Sequence, residues 1–224
     1  MFRNNGFPVS QDLYYRGKLM KKLLMIVCGL ALLASVGCGL SKPKAVDVPP
    51  YDPGKIASKA MELYDTNKDS KLDADELKAC PGMLFSLKGP KSIDTNGDGA
   101  IDANEIKARI QAWIDMKVGL TCPIVKFVDK KGKAVKEVFN KKVTLTPDPL
   151  HEGMLKTTTP IAVDDNGQCS PSTPDNLDNL SGMSYGFYTI SIEGTSYNNL
   201  GVEIFDGAKE DDTDSFQITL SKGK

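Results

Sequence analysis

Two stretches of the chain place oxygen side chains at a spacing that suits a hard cation. In Asp94–Glu105, the residues Asp94, Asn96, Asp98, Asp102 and Glu105 stand at positions 1, 3, 5, 9 and 12 of twelve. Position 6 is Gly99, where the backbone must turn sharply; position 7, Ala100, offers its carbonyl; position 8 is the apolar Ile101. Ca²⁺ takes about six to eight oxygens at about 2.3–2.6 Å, and this spacing wraps them around one point. An acidic surface turn is the alternative, but it would need neither Ile101 nor Glu105. The pattern repeats upstream as Asp65, Asn67, Asp69, Asp73 and Glu76, with the carbonyl of Lys71 at position 7 and Leu72 at position 8. There position 6 is Ser70, and a positive φ costs a non-glycine residue about 1 kcal/mol. The upstream loop is therefore expected to bind more weakly. In both loops the position-9 aspartates, Asp73 and Asp102, are expected to act through water.

The elements around these loops follow from periodicity. Ile56, Ala60, Leu63 and Tyr64 recur at helical spacing from Lys55 and lead into the first loop. Pro81 and Gly82 end the short helix that leaves it. Gly89-Pro90 limits the next helix, and Ile106, Ile110, Trp113, Ile114 and Val118 make one apolar stripe after Glu105. Trp113 on that stripe reads as core. Leu72 and Ile101 are expected side by side in an antiparallel contact between the loops. Residues 55–118 resemble an EF-hand pair, with the family's ligand positions matched one by one. Dockerins use paired loops too, in a more compact duplicated unit. Sensors of the EF-hand family expose a Met-rich groove on loading, whereas Met61, Met83 and Met116 are few and scattered.

Near Gly119 the period changes from helical to alternating. Ile124–Val128, Lys142–Thr146, Thr157–Val163, a short piece around Cys169, Gly186–Ile192, Gly201–Phe205 and Phe216–Leu220 read as strands. Pro160 marks the third as an edge or bulge, and Asp164-Asp165-Asn166-Gly167 as a tight turn. The expected fold class is α+β in two domains, a small helical EF-hand pair plus an antiparallel β-sandwich. Gly132-Lys133-Ala134-Val135, Val143–Pro147, Asp165-Asn166-Gly167 and Gly186–Ile192 resemble the carboxypeptidase regulatory-like, transthyretin-like sandwiches. The segment Tyr197–Glu203 is similar to one in small bacterial lipoproteins of this type, planctomycete ones especially. That resemblance implies a fold and an exported setting, and no catalytic activity.

Upstream, Met20-Lys21-Lys22 opens a basic patch, Leu23–Ala34 is apolar, and Ser35-Val36-Gly37-Cys38 closes the segment. This reads as a short signal peptide and resembles a bacterial lipoprotein signal, which implies acylation of Cys38. An ordinary secretory signal cut nearby is the alternative. An apolar run this short falls below the roughly 20 residues of a membrane helix, so the protein would be anchored to the membrane, in the cell envelope, and not span it. The expected organisation is 1–37 as upstream extension and signal peptide, 38–54 as an extended tether, 55–118 as the loop pair and 119–224 as the sandwich. Met20 is an alternative start.

Composition excludes other classes. Twenty-eight basic against 29 acidic residues give no field for nucleic acid. The partners expected are the membrane through the lipid and an unidentified protein or glycan. A lone histidine, His151, argues against a His-based metal site or triad, and it reads as solvated in a loop. A hydrolase acting on an envelope polymer would have to use His151 with Cys169 or Ser170, or the acidic run Glu210-Asp211-Asp212. A calcium-dependent sensor regulating a partner is a further alternative. The chain is read as a non-enzyme. Among the thiols, Cys122–Cys169 would staple the sandwich and Cys80–Cys122 would lock the domains; the first is preferred.

Overall fold

A computed structural model of the chain describes residues 46–89, 91–174, 181–208 and 215–220. Cys38, the segment 1–37, the first part of the tether (38–45) and the acidic run at 210–212 lie outside the described residues.

Helix α1 spans Pro53–Tyr64. Pro53 starts it where a missing N–H is harmless, and the Asp52 carboxylate accepts from Lys55 N at 3.0 Å. Its buried face is Ile56, Ala57, Ala60 and Tyr64; Leu63, expected on the stripe, is instead exposed. The first loop follows, with strand β1 at Lys71–Leu72, and a 3₁₀ turn at Glu76–Ala79 leaves it. Helix α2 spans Pro81–Lys88, so Pro81-Gly82 opens this helix as well as closing the preceding turn. The second loop carries β2, Ile101–Asp102, and runs directly into α3, Ala103–Asp115. β1 and β2 pair antiparallel with Leu72 opposite Ile101, as their position-8 spacing predicts. On α3, Ile106, Ile110 and Trp113 are buried and Ile114 only partly so.

The remaining strands form two sheets. β4 (Lys142–Pro147), β5 (Ile161–Ala162), β7 (Gly186–Ile192) and β8 (Leu200–Ile204) make an antiparallel sheet in the order β5-β4-β7-β8. β3 (Val125–Val128), β6 (Gln168–Cys169) and β9 (Phe216–Thr219) make the other, in the order β6-β3-β9. β3 and β9 run parallel, against the all-antiparallel expectation. A short hairpin turn dictates opposite directions for its strands, but these two are far apart in sequence and no turn sets their sense. β5 is an edge strand, as Pro160 implies.

Burial along the strands shows what covers them. β4 alternates buried and open, which is the signature of one covered face. β7 alternates only in its second half, and β8 is buried on both faces from Gly201 to Ile204. The second cover is helical. Phe187, Thr189, Gly201 and Glu203 share one face, because Phe187 pairs with Glu203 and Thr189 with Gly201. On that face a Cβ on Gly201 would come within 2.1 Å of the Pro81 carbonyl carbon, and the Phe187 ring lies 5.0 Å from Trp113, centroid to centroid. Helices α2 and α3 thus sit on the β7–β8 end of the sheet. Ala45–Lys224 is one compact unit, and one cluster of buried apolar side chains runs from Ile56 through Trp113 to Phe216.

Three expectations are corrected here. The end of the supposed tether is packed, with Tyr51 buried and its hydroxyl donating to the Tyr185 carbonyl. His151 is fully buried and not solvated. Cys122 and Cys169 are free thiols. Val125 stands opposite Cys169 in the ladder, so Cys122, three residues before Val125, is displaced by about 10 Å along the strand direction. A disulfide needs Cα atoms within about 7 Å. The Cys122 thiol donates to the Ser181 carbonyl at 3.1 Å instead.

Candidate metal centre

Both acidic loops are folded to one plan by their own amides. In the second, Asp94 Oδ2 accepts from Gly99 N at 2.8 Å and Asn96 Oδ1 from Asp98 N at 2.8 Å. Asp98 Oδ1 accepts from Ala100 N at 3.0 Å. In the first, Ser70 N, Asp69 N and Lys71 N make the matching bonds to Asp65, Asn67 and Asp69 at 3.0, 2.8 and 2.9 Å. The glutamate at position 12 closes each loop. Glu105 Oε1 accepts from Thr95 N at 2.8 Å, and Glu76 Oε1 from Thr66 N at 2.9 Å.

Asp102 and Glu105 serve a second purpose. Asp102 Oδ1 accepts from Asn104 N and Glu105 N, and Glu105 Oε2 accepts from Asp102 N at 3.0 Å. This is a capping box that starts α3. Positions 9 and 12 of the loop are therefore also the N-cap and the third residue of the helix. The D-x-x-E spacing of Asp102 and Glu105 carries both roles at once, ligand spacing and helix start.

The loops differ in backbone conformation and in the setting of the closing glutamate. Position 4 joins position 6 in the left-handed region: Gly97 and Gly99 have φ of 75° and 86°, whereas Lys68 and Ser70 have 60° and 68°. The strain at Ser70 is the one expected from its place at position 6; the structure adds Lys68 to it. Glu105 is buried at 6 % exposure, and thirteen helical residues follow Asp102, whereas Glu76 is half-buried and begins a four-residue 3₁₀ turn. Burial pushes the Glu76 carboxyl up, but amide donors from Asp73, Asn67 and Thr66 outweigh it and hold it below the ordinary range. Lastly, the loops are joined by a charge. Lys71 Nζ reaches Asp98 Oδ2 at 2.6 Å, and that bond, with its charge, holds Asp98 below the usual carboxylate range.

The donor chemistry fits calcium. The second loop offers four carboxylates, Asn96 and a free carbonyl position at Ala100, with no basic residue; the first offers five carboxylates with Lys68 and Lys71 among them. All are hard oxygen donors. Among the described residues no group of three or more His, Cys, Asp or Glu forms a ready-made metal cluster. The carboxylates are turned to the loops' own amides, and each oxygen so engaged retains a further lone pair.

A family model of the EF hand matches residues 91–110. The match marks these residues as similar to an EF hand, and it supports calcium binding by the loop they contain. It covers the second loop, the one with glycine at positions 4 and 6. No curated protein and no solved structure matches the chain.

Of the other candidates, His151 and Cys169 lie within the described residues and are not brought together. His151 Nε2 accepts from Phe187 N at 3.1 Å, and Nδ1 has no hydrogen-bond partner among the described residues. Its ring lies among Tyr51, Trp113 and Phe187. Burial first, and the charge of Lys59 second, push its pKa down to about 3. Neither nitrogen bonds to Cys169 or Ser170. Burial, with the Asp164 charge, pushes the Cys169 thiol up to about 12, so it is not a thiolate nucleophile at neutral pH.

Proposed function

We propose that this is an exported calcium-binding protein, anchored through acylated Cys38, in which Ca²⁺ clasps a non-catalytic structural or binding module. The observation that carries the calcium part is the pair of twelve-residue oxygen loops, back to back through Leu72 and Ile101 and closed by Glu76 and Glu105. Asp94, Asn96, Asp98, the Ala100 carbonyl and Glu105 would hold one ion, with Asp102 acting through water. Asp65, Asn67, Asp69, the Lys71 carbonyl and Glu76 would hold a weaker second, with Asp73 likewise. The ion would supply the charge that neutralises carboxylates crowded into each loop. The export part rests on the Lys21-Lys22, apolar and Cys38 sequence pattern. The burial of His151 and of the Cys169 thiol supports the non-catalytic reading.

Calorimetric titration of Ca²⁺ and melting with and without chelator test it. Glu105→Gln should lower the calcium-loaded melting temperature more than Glu76→Gln, because Glu105 is the more buried and starts the longer helix. A chain with no bound calcium and no calcium-dependent shift would overturn the reading.

A further inference from the structure

Glu203 is the penultimate residue of β8 and is fully buried. Its carboxylate collects donors from both helices that flank the second loop. Ser86 Oγ on α2 donates to Oε2 at 2.6 Å, and Trp113 Nε1 on α3 donates to Oε1 at 2.9 Å. Arg109 Nε on α3 lies 3.6 Å from Oε1, with the side chain 10 % exposed and the guanidinium carbon 5.4 Å from the centre of the Phe205 ring. A buried charge with this many partners is strongly destabilised when one partner is removed.

The same Arg109 reaches the loop. Its Nη2 donates to the Lys91 carbonyl at 2.6 Å, three residues before the first ligand, Asp94. Arg109 also stands one helical turn after Glu105, the last ligand. Between the loop entrance and α3 lies a cleft of about 260 Å³, lined among others by Ser92, Ile93, Ala108 and Ala112. Two struts span it. One is Glu105 to the amides of Thr95 and Asn96; the other is Arg109 to Lys91. The first strut is itself made of a calcium ligand, so the second governs how the two ends of the loop are spaced.

We infer that Arg109 and Glu203 are positioning residues for the second calcium loop, so that calcium binding there and the ordering of strand β8 are energetically coupled. The inference rests on the calcium reading above. Glu203 fixes the guanidinium from the sheet side, and the guanidinium fixes the loop entrance against α3. Coupling is reciprocal for binding free energies: whatever the sheet contributes to calcium affinity, calcium returns to the sheet.

The test uses the full chain in a Glu76→Gln background, so that the second loop alone titrates. Arg109→Met and Glu203→Gln should each weaken calcium binding at least about fivefold, the lower end of ordinary couplings. Arg109→Lys keeps the charge and loses the fork, and should fall between. A purely structural role would lower the melting temperature and leave the dissociation constant of the folded protein unchanged. Hydrogen exchange of the unmutated chain needs no variant: calcium should slow the amides of Leu200–Ile204. Normal affinity in folded variants, or β8 exchange indifferent to calcium, would overturn the coupling while leaving the calcium reading intact. An unmutated chain that binds no calcium would overturn both.

Discussion

Ser70 and Lys68 hold left-handed backbone without being glycine. Each costs about 1 kcal/mol in that region, and the second loop has glycine at both matching positions. Ser70→Gly should therefore raise the stability of the calcium-loaded protein, by about 0.5 kcal/mol once the extra freedom of the unfolded chain is set against the relief. Titration should show the first loop tightening with it; an unchanged first-site affinity would mean that strain is not what separates the loops. A second residue-scale effect belongs to His151. Its folded pKa is near 3 against an ordinary 6.5, so below about pH 6.5 the unfolded chain takes up a proton that the native state refuses. The stability it contributes is whole above pH 6.5 and is lost as pH falls toward 3, at up to about 1.4 kcal/mol per pH unit. Between pH 6.5 and 5, chemical denaturation of the native protein should show this slope and His151→Gln should flatten it. Equal slopes would place the charge of the native imidazole elsewhere.

Elements were legible in proportion to how local their causes are. The loops, the β1–β2 contact and α3 follow from residues a few positions apart, and the spacing of Asp94 to Glu105 carries nearly all of that information. The clear strand Gly186–Ile192 follows from its β-branched and aromatic content. What sequence could not supply were the long-range partners. Nothing local says that β9 lies parallel to β3, that Tyr51 folds back, or that the glutamate in Leu200–Ile204 is buried rather than exposed. Glycine at 82 and 201 illustrates the same gap. Gly82 reads as a helix stop, yet it opens α2, and a Cβ there would come within 2.7 Å of Tyr188 N. Both glycines let the α2 backbone rest directly on β7 and β8. Gly201→Ala should cost about 1–3 kcal/mol by overpacking against backbone that cannot yield. A loss under about 0.5 kcal/mol in denaturant unfolding would show that α2 can lift away.

At the scale of the whole unit, the helical part and the β7–β8 end of the sheet share a core, and Trp113 is its most informative member. It is the single tryptophan, fully buried on α3, with its ring against Phe187 and its N–H on Glu203. If the calcium loops were a separate module, removing calcium would melt them and leave the sheets standing. The shared burial argues for one transition instead, since unfolding α3 would strip the cover from Phe187 and strand the Glu203 charge in apolar surroundings. Heating should therefore give coincident curves from Trp113 fluorescence, which follows the helix–sheet junction, and from far-ultraviolet dichroism of the sheets. Calcium should move both curves upward together, by an amount that grows with its free concentration as linkage requires. Two separated transitions, with the calcium-sensitive one confined to the fluorescence signal, would show that the shared core is too weak to bind the loops and the sheets into a single folding unit.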